Sequence, residues 1–343
     1  MKRILVTGGA GFIGSNFIYY LFEKYGEEVI VLNIDKLTYS ANLTNLESIE
    51  NQYGRSNGSS QQYFFQEADI ANEEAMAQYF AQNPIDYVVN FAAESHVDRS
   101  LYDNRVFVLS NVLGTQSLLQ QAMNANVKRF LQVSTDEVYG SLGPDGEFTE
   151  QSNLQPNSPY AASKAGADCL ARSFFKSFQF PVLISRCSNN YGPYQFPEKL
   201  IPLMVSNAME NKQLPVYGKG DNVRDWLHVK DHCDAIQSII LNGKIGESYN
   251  IGGNNEMTNL EIATKVCSVF DKLKPSDNFE SYTELITFVE DRPGHDYRYA
   301  VNTDKIKKET GWSPRYNFND AIEDTAVWYI KNEKWWKIGR AHV

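Results

Sequence analysis

The chain has 343 residues, 42% hydrophobic and 22% charged, a balance that suits a globular protein large enough to bury a binding cleft. Its formal net charge of −10 argues against a nucleic-acid partner, although a local cluster of Arg, Lys and backbone N–H groups can still hold a small anion. No run approaches the roughly 18 uninterrupted apolar residues of a membrane span, so no membrane partner is expected either.

Met1-Lys2-Arg3 leads straight into Ile4-Leu5-Val6, too short an apolar run for a signal peptide, and reads as a strand over Arg3–Thr7. Gly8-Gly9-Ala10-Gly11-Phe12-Ile13-Gly14 follows it and opens a helix over Gly14–Tyr25. Glycines there let the backbone turn sharply and approach a pyrophosphate, while the helix start offers N–H donors and partial positive charge. A second strand over Glu28–Ile34 is followed at once by Asp35, about 20 residues past the loop, where a carboxylate can accept hydrogen bonds from a ribose diol and repel a 2′-phosphate. NAD is therefore expected over NADP. After a third strand, Gln62–Glu67, Asp69-Ile70 is expected near the adenine, or else as a cap of the helix over Glu73–Asn83.

Further strands are expected at Tyr87–Phe91, Arg129–Ser134 and Pro181–Arg186, with helices over Arg105–Asn124 and Tyr160–Phe178. Most strands are apolar with little alternation, as in a parallel sheet covered on both faces. The fold class is thus α/β: a Rossmann-type doubly wound parallel sheet with a smaller C-terminal substrate-binding lobe. The expected division is a NAD-binding domain over 1–186, to which later segments return, a lobe over 187–330 rich in Pro, Gly and aromatic loops, and a tail over 331–343 without clear periodicity from Lys337 onward. The four cysteines form no Cys-x-x-Cys pair and read as reduced, mostly buried thiols of a cytoplasmic protein.

Tyr160 and Lys164 stand four apart on a helix and so share a face. A nearby ammonium and the positive nicotinamide ring should lower the phenol's pKa, letting it take a hydroxyl proton. Thr135-Asp136-Glu137 follows the fifth strand, at the sheet edge where open α/β folds do their chemistry. Two adjacent carboxyls in different surroundings can titrate apart, one as acid and one as base. His228 and His232 are four apart but lack a third metal ligand, and Asp231 reads as a helix cap, so no metal is expected. His96 and His295 read as hydrogen-bonding residues, Glu94 as a loop brace, and Trp335-Trp336 as packing for the last helix or a subunit contact.

With these motifs the chain resembles the extended short-chain dehydrogenase/reductase family from Met1 to about Tyr329. The resemblance also rests on Asn90 to Ser100, Ser134 to Gly140, Arg186 to Pro193 and Asp291 to Asp296. Within that family it points to enzymes that remove water from the sugar of a nucleotide-sugar, because epimerases lack the Asp-Glu pair and related decarboxylases tend to carry Ser where Asp136 stands. The implied substrate is dTDP-glucose and the implied product its 4-keto-6-deoxy derivative, through transient oxidation by bound NAD. Tyr160 would deprotonate the 4-hydroxyl, Glu137 the carbon 5 position, and Asp136 would protonate the departing 6-hydroxyl. Thymidine itself follows only from the resemblance. The resemblance implies cofactor contacts at Gly8, Gly11, Phe12, Ile13, Gly14, Asp35, Lys36, Thr38, Asp69, Ile70, Phe91, Ala92, Ala93, Ser110, Tyr160, Lys164 and Asn190. It implies substrate contacts at Ser95, Thr135, Asn189, Lys199, Leu200, Pro215, Tyr217, Arg224, Asn259, Asp291, Arg292 and His295, with Arg224 and Arg292 suited to a diphosphate. Ala161 and Tyr297 depart from the family's frequent Ser and Arg; Tyr297 leaves the pocket rim open to question. The family further implies a homodimer. Two other readings stand beside this one: a nucleotide-sugar epimerase or decarboxylase, and a non-catalytic NAD-binding regulator, which would have no use for Thr135-Asp136-Glu137 beside Tyr160 and Lys164.

Overall fold

The computed structural model describes residues 2–55 and 61–340, with side chains through 337. Six strands of the first half are β1 (Lys2–Thr7), β2 (Val29–Asp35), β3 (Tyr63–Glu67), β4 (Tyr87–Asn90), β5 (Arg129–Thr135) and β6 (Val182–Cys187). Each lies within about a residue of its expected bounds. In the second half follow β7 (Asn189–Tyr191), β8 (Leu214–Tyr217), β9 (Val223–His228), β10 (Ser248–Ile251), β11 (Glu256–Thr258) and β12 (Ile286–Val289).

Seven strands form one parallel sheet in the order β10-β6-β5-β4-β1-β2-β3. Both faces are covered. Ile4 and Val6 join a core beneath the helices Phe12–Tyr25 and Val229–Asn242, while Leu5 joins the opposite core beneath Glu73–Gln82 and Gly114–Asn124. That double burial explains the continuous apolar runs: alternate residues face opposite helical layers, and water reaches mainly the edge strand β3. β10 returns from the second half to the sheet edge beside β6, so the expected return of later segments takes this form.

The lobe has its own core around Tyr191, Trp226, Phe270, Tyr282 and Tyr329. It carries a three-stranded sheet, β11-β9-β7, and the parallel pair β12-β8. Residues 333–340 are helical rather than an unstructured tail; residues 341–343 lie outside the described residues. Trp336 is fully buried in the lobe core, and Trp335 donates its Nε1–H to Asn45 Oδ1 at 2.7 Å. Burial of two indoles outweighs the weak local pattern that the end of the chain shows.

The expected helix over Arg105–Asn124 is interrupted. A short α-helix (Asn104–Phe107) passes into a π-helical stretch (Val108–Leu113) and then into the α-helix Gly114–Asn124. Leu101, Tyr102, Val106, Val108, Leu109 and Leu113 are exposed along and just before this stretch, whereas Phe178 is the one large apolar side chain exposed on the helix Pro159–Phe178.

That last helix is tied to the sheet by charge. Arg186 on β6 donates Nε–H to Asp168 Oδ2 at 2.9 Å and Nη1–H to the Tyr139 hydroxyl at 2.8 Å; Tyr139 in turn donates to Asn250 Oδ1 at 2.7 Å. Asp168 is 1% exposed, and burial with Arg186 leaves neither charge a route to water. Asp168→Ala should therefore destabilise the fold by roughly 3–5 kcal/mol in urea denaturation, because the guanidinium is left buried and unpaired. A loss below about 1 kcal/mol would show that water reaches Arg186.

Candidate active site

The chain builds β1 to β3 in one direction and β4 to β6 in the other, so the strand order reverses between β1 and β4. A crevice opens at the carboxyl ends of strands at such a reversal. Here it is a cleft of about 500 Å³ that continues into the lobe.

Its floor begins with the glycine turn. Gly8 sits at φ 71°, a left-handed conformation that favours glycine, and a Cβ there would meet the Ala92 nitrogen at 2.8 Å. A Cβ on Gly14 would come within 2.3 Å of the Gly8 carbonyl oxygen, so the helix start packs directly on the turn. No side chain caps this helix and no acid stands in its first turn. Its free N–H groups and positive end thus remain available to a phosphate. Asp35 closes β2, buried, accepting from the Ala10 N–H at 2.9 Å and the Leu37 N–H at 2.8 Å. Burial raises its carboxyl while these backbone donors lower it. Each oxygen keeps lone pairs for further donors, which fits a ribose diol.

Lys36 and Asp69 form an ion pair of 2.6 Å at the cleft edge. The alternative role of Asp69 as a helix cap falls to another residue: Asn72 caps Glu73–Gln82, and Asp69 instead accepts from the Ala71 N–H at 2.9 Å. Gly11, Phe12, Ile13, Thr38, Ile70, Phe91, Ala92, Ala93, Ser110 and Asn190 also line the cleft.

Beyond them the catalytic candidates converge. Ser158 caps the helix Pro159–Phe178 by accepting from the Ala161 N–H, and Pro159 begins it, which sets Tyr160 at its first turn. Lys164 lies one turn on and donates Nζ–H to the Val133 carbonyl oxygen at 2.7 Å. Thr135 ends β5, accepts from the Glu137 N–H at 3.3 Å and donates to Asp136 Oδ1 at 3.2 Å. Asp136 Oδ2, also buried, has no hydrogen-bond partner.

Burial pushes the Asp136 carboxyl well above the usual range, helped by Glu137 and Asp225. It raises Glu137 too, but Lys199, Arg292 and Arg224 oppose that rise. The two adjacent acids share Arg224 but otherwise meet different company: Glu137 and Asp225 near Asp136, Lys199 and Arg292 near Glu137. The expected fall of the Tyr160 pKa is not what the chain by itself produces. Burial raises the phenol well above 10, and Glu137 and Asp136 add to the rise while Thr135 opposes it. Lys164 is turned to a backbone carbonyl, and burial lowers its own pKa.

The opposite wall comes from the lobe. Arg224 is buried with its guanidinium 4.3 Å from the Tyr299 ring centroid, and it donates to the carbonyl oxygens of Val223 and Asp296. Arg292 Nη1 reaches Asp98 Oδ1 at 3.3 Å, leaving a buried Nε–H without a partner. Ser95, Asn189, Lys199, Leu200, Pro215, Tyr217, Asn259 and His295 line the same space. Asp291 does not: it stands behind His295, bonded to Nδ1 at 2.6 Å. Tyr297 is exposed at the lobe surface with its N–H bonded to Ser141.

Several lining residues were given no role from the sequence, among them Asp98, Glu198, Trp226 and Tyr299. Asp98 lies within the Asn90–Ser100 segment, but its pairing with Arg292 joins residues 194 apart; the other three belong to no motif read from the sequence. Glu94 is braced through its backbone by Asn111, which accepts from its N–H at 2.8 Å. His96 caps the helix Val97–Tyr102. Asp231 is not a cap of its own helix; His228 takes that place, and Asp231 accepts from the Arg315 and Tyr316 N–H groups. Among the described residues no cluster of metal-ligating side chains occurs, and no helix is long and apolar enough to cross a membrane.

A family model described as GDP-mannose 4,6 dehydratase matches residues 5–325. A probable dTDP-glucose 4,6-dehydratase from Sinorhizobium fredii is 49% identical, covering 98% of this chain and 95% of the relative. The structure of a dTDP-glucose 4,6-dehydratase from Bacillus anthracis in complex with NAD is 47% identical, with TM-score 0.87 over 99% of this chain and 100% of that one. A dTDP-glucose 4,6-dehydratase from Streptomyces venezuelae, with NAD and TDP bound, is 44% identical, with TM-score 0.89 over 98% and 99%.

The buried acid makes a stability prediction. The folded chain holds Asp136 protonated where the unfolded chain ionises, so this residue costs stability as pH rises above the ordinary Asp value of about 3.9. Asp136→Asn should raise Tm by roughly 2 °C or more at neutral pH, and the gain should widen as pH rises above the ordinary Asp value. A gain independent of pH in thermal melts would contradict the raised carboxyl.

Proposed function

The chain belongs to the GDP-mannose 4,6-dehydratase family, and from that premise we propose that it dehydrates dTDP-glucose to dTDP-4-keto-6-deoxyglucose with NAD as a recycled cofactor. The observation that carries this reading is the pair of buried Asp136 and half-buried Glu137 in the cleft beside Tyr160. A simple oxidation or an epimerisation at carbon 4 needs one acid–base group. Expelling a hydroxyl needs two more: a base for the carbon proton and an acid for the leaving group.

The glycine turn, the uncapped helix start and Asp35 suit the pyrophosphate and ribose of NAD, with Lys36, Thr38, Asp69, Ile70, Ala92, Ala93, Ser110 and Asn190 along its length. Bound NAD would supply reversible hydride chemistry, taking an electron pair at carbon 4 and giving it back at carbon 6 while Glu137 returns its proton to carbon 5. Tyr160 accepts the proton of the 4-hydroxyl, with Thr135 as hydrogen-bond partner and Lys164 as the nearby cation. The ketone at carbon 4 acidifies the hydrogen on carbon 5. Glu137, eased toward its ionised form by Lys199, Arg292 and Arg224, removes it. Asp136, held protonated by burial, donates its proton as the 6-hydroxyl leaves as water. Arg224 and Arg292 suit the two phosphates, and the free Arg292 Nε–H gives that ligand a donor. In this reading residues 1–186 hold NAD and 187–330 hold the sugar nucleotide, with Asp291 acting through His295.

The exposed apolar side chains between Leu101 and Leu113 support a homodimer, with Tyr102 91% exposed. A cytoplasmic setting suits the four free cysteines.

Incubation with dTDP-glucose, and separately with UDP-glucose, should yield the alkali-induced absorbance of a 4-keto sugar with the thymidine substrate; inertness toward both overturns the reading. Asp136→Asn should still oxidise carbon 4 but lose water about 100-fold more slowly. Elimination at the parent's rate would remove Asp136 from the acid's role. Light scattering should give twice the 39.0 kDa chain mass, and a monomer at micromolar concentration would count against the dimer.

A further inference from the structure

The segment from Pro193 to Lys199 belongs to the lobe, yet it runs along the cofactor half of the cleft. At its start, Asn16 donates Nδ2–H to the Pro193 carbonyl oxygen at 2.9 Å, and the Tyr194 ring stacks on Tyr19 with centroids 5.7 Å apart. Both partners stand on the helix that follows the glycine turn. At its end, Lys199 donates Nζ–H to the Ser95 carbonyl oxygen at 2.9 Å. Between these anchors Phe196 meets the Tyr39 ring edge-on at 5.9 Å.

Glu198 occupies the middle of this contact, its side chain 11% exposed. Oε1 accepts from the Tyr39 hydroxyl at 3.0 Å, and Oε2 lies 3.5 Å from His96 Nε2. His96 Nδ1 accepts from the Arg99 N–H, so a neutral ring carries its proton on Nε2, facing the carboxylate. Tyr39 is pinned from its other side by the Arg99 guanidinium, 3.6 Å from the ring centroid.

Tyr39 follows β2 and His96 follows β4, while β1 with its glycine turn stands between those strands in the sheet. A carboxylate that accepts a hydrogen bond from one loop and lies 3.5 Å from an imidazole nitrogen of the other therefore bridges across the carboxyl end of β1. We propose that Glu198 is a positioning residue that latches the lobe to the two loops flanking the glycine turn and so retains NAD through both redox steps. This rests on the NAD-dependent dehydration proposed above. Between those steps the sugar is a ketone and the cofactor is reduced. If the reduced cofactor escaped, the intermediate would have no electron pair to take back and the enzyme would be left empty. An oxidase or reductase that exchanges its cofactor every cycle has no such need.

The test uses the full-length holoenzyme, with exchange of bound labelled NAD against excess unlabelled NAD as the readout. Glu198→Ala should exchange at least tenfold faster than the parent, equivalent to about 1.4 kcal/mol, and Tyr39→Phe should shift in the same direction by less. During turnover of dTDP-glucose, Glu198→Ala should release NADH into solution and lose activity that added NAD restores. Exchange within about twofold of the parent in both variants overturns the latch, as does a loss of activity that added NAD does not restore. Where Glu198→Ala does not fold, Tyr39→Phe decides, since it removes a single hydroxyl. A parent enzyme that holds no NAD would instead overturn the functional reading itself.

Discussion

A parallel sheet buried on both faces leaves ligands only its strand ends. Helices cover each side of β1 to β6 here, so no side chain in the middle of the sheet can reach solvent or substrate. Everything that the site needs is therefore gathered at the carboxyl edge, where β1 and β2 end in the glycine turn and Asp35, β5 ends in Thr135, and β6 leads to Asn189 and Asn190. The reversal of strand order between β1 and β4 opens that edge wide enough for a dinucleotide. The lobe then supplies what the sheet cannot: cations facing the acids, and a wall that closes the cleft.

Burial is also what differentiates the two acids. Asp136 is buried and Glu137, beside it in sequence, only half-buried, and their charged neighbours differ as well. Asp225 stands near the first, and Lys199 and Arg292 face the second. The same low-dielectric surroundings raise the Tyr160 phenol, against the expectation from its Lys164 neighbour. Tyr160 thus begins as a neutral hydroxyl, and the base proposed for it would arise only in the complex with substrate and oxidised cofactor. Such a site is costly to fold. The Arg186–Asp168 pair and the Tyr139–Asn250 hydrogen bond hold the catalytic helix against the sheet beside those poorly solvated acids.

Elements that depend on local pattern were legible in the chain itself. The apolar runs of β1 to β6 stand out because two covered faces demand them, and the glycine turn stands out because Gly8 and Gly14 leave no room for a Cβ. Asp35, Thr135, Asp136, Glu137, Tyr160 and Lys164 sit at strand ends or one helical turn apart, so short spacings suffice to find them. The π-helical break at Val108–Leu113 was not legible, since its six residues continue an ordinary helical pattern. Nor was the closing helix with Trp335 and Trp336, whose stability comes from packing in the lobe core and from Trp335's bond to Asn45, 290 residues away.

By itself, then, the order of residues determined the sheet, the glycine turn and the candidate acid–base groups, because each arises from interactions among near neighbours or from a strand's need to bury both faces. Only the tertiary structure decided which side chains complete the site. Asp98 on Arg292, Tyr299 beneath Arg224, and Glu198 between Tyr39 and His96 are pairings across long stretches of chain. No spacing encodes them. They exist because the lobe folds back over the sheet edge, and the protonation of Asp136, Glu137 and Tyr160 follows from that same enclosure.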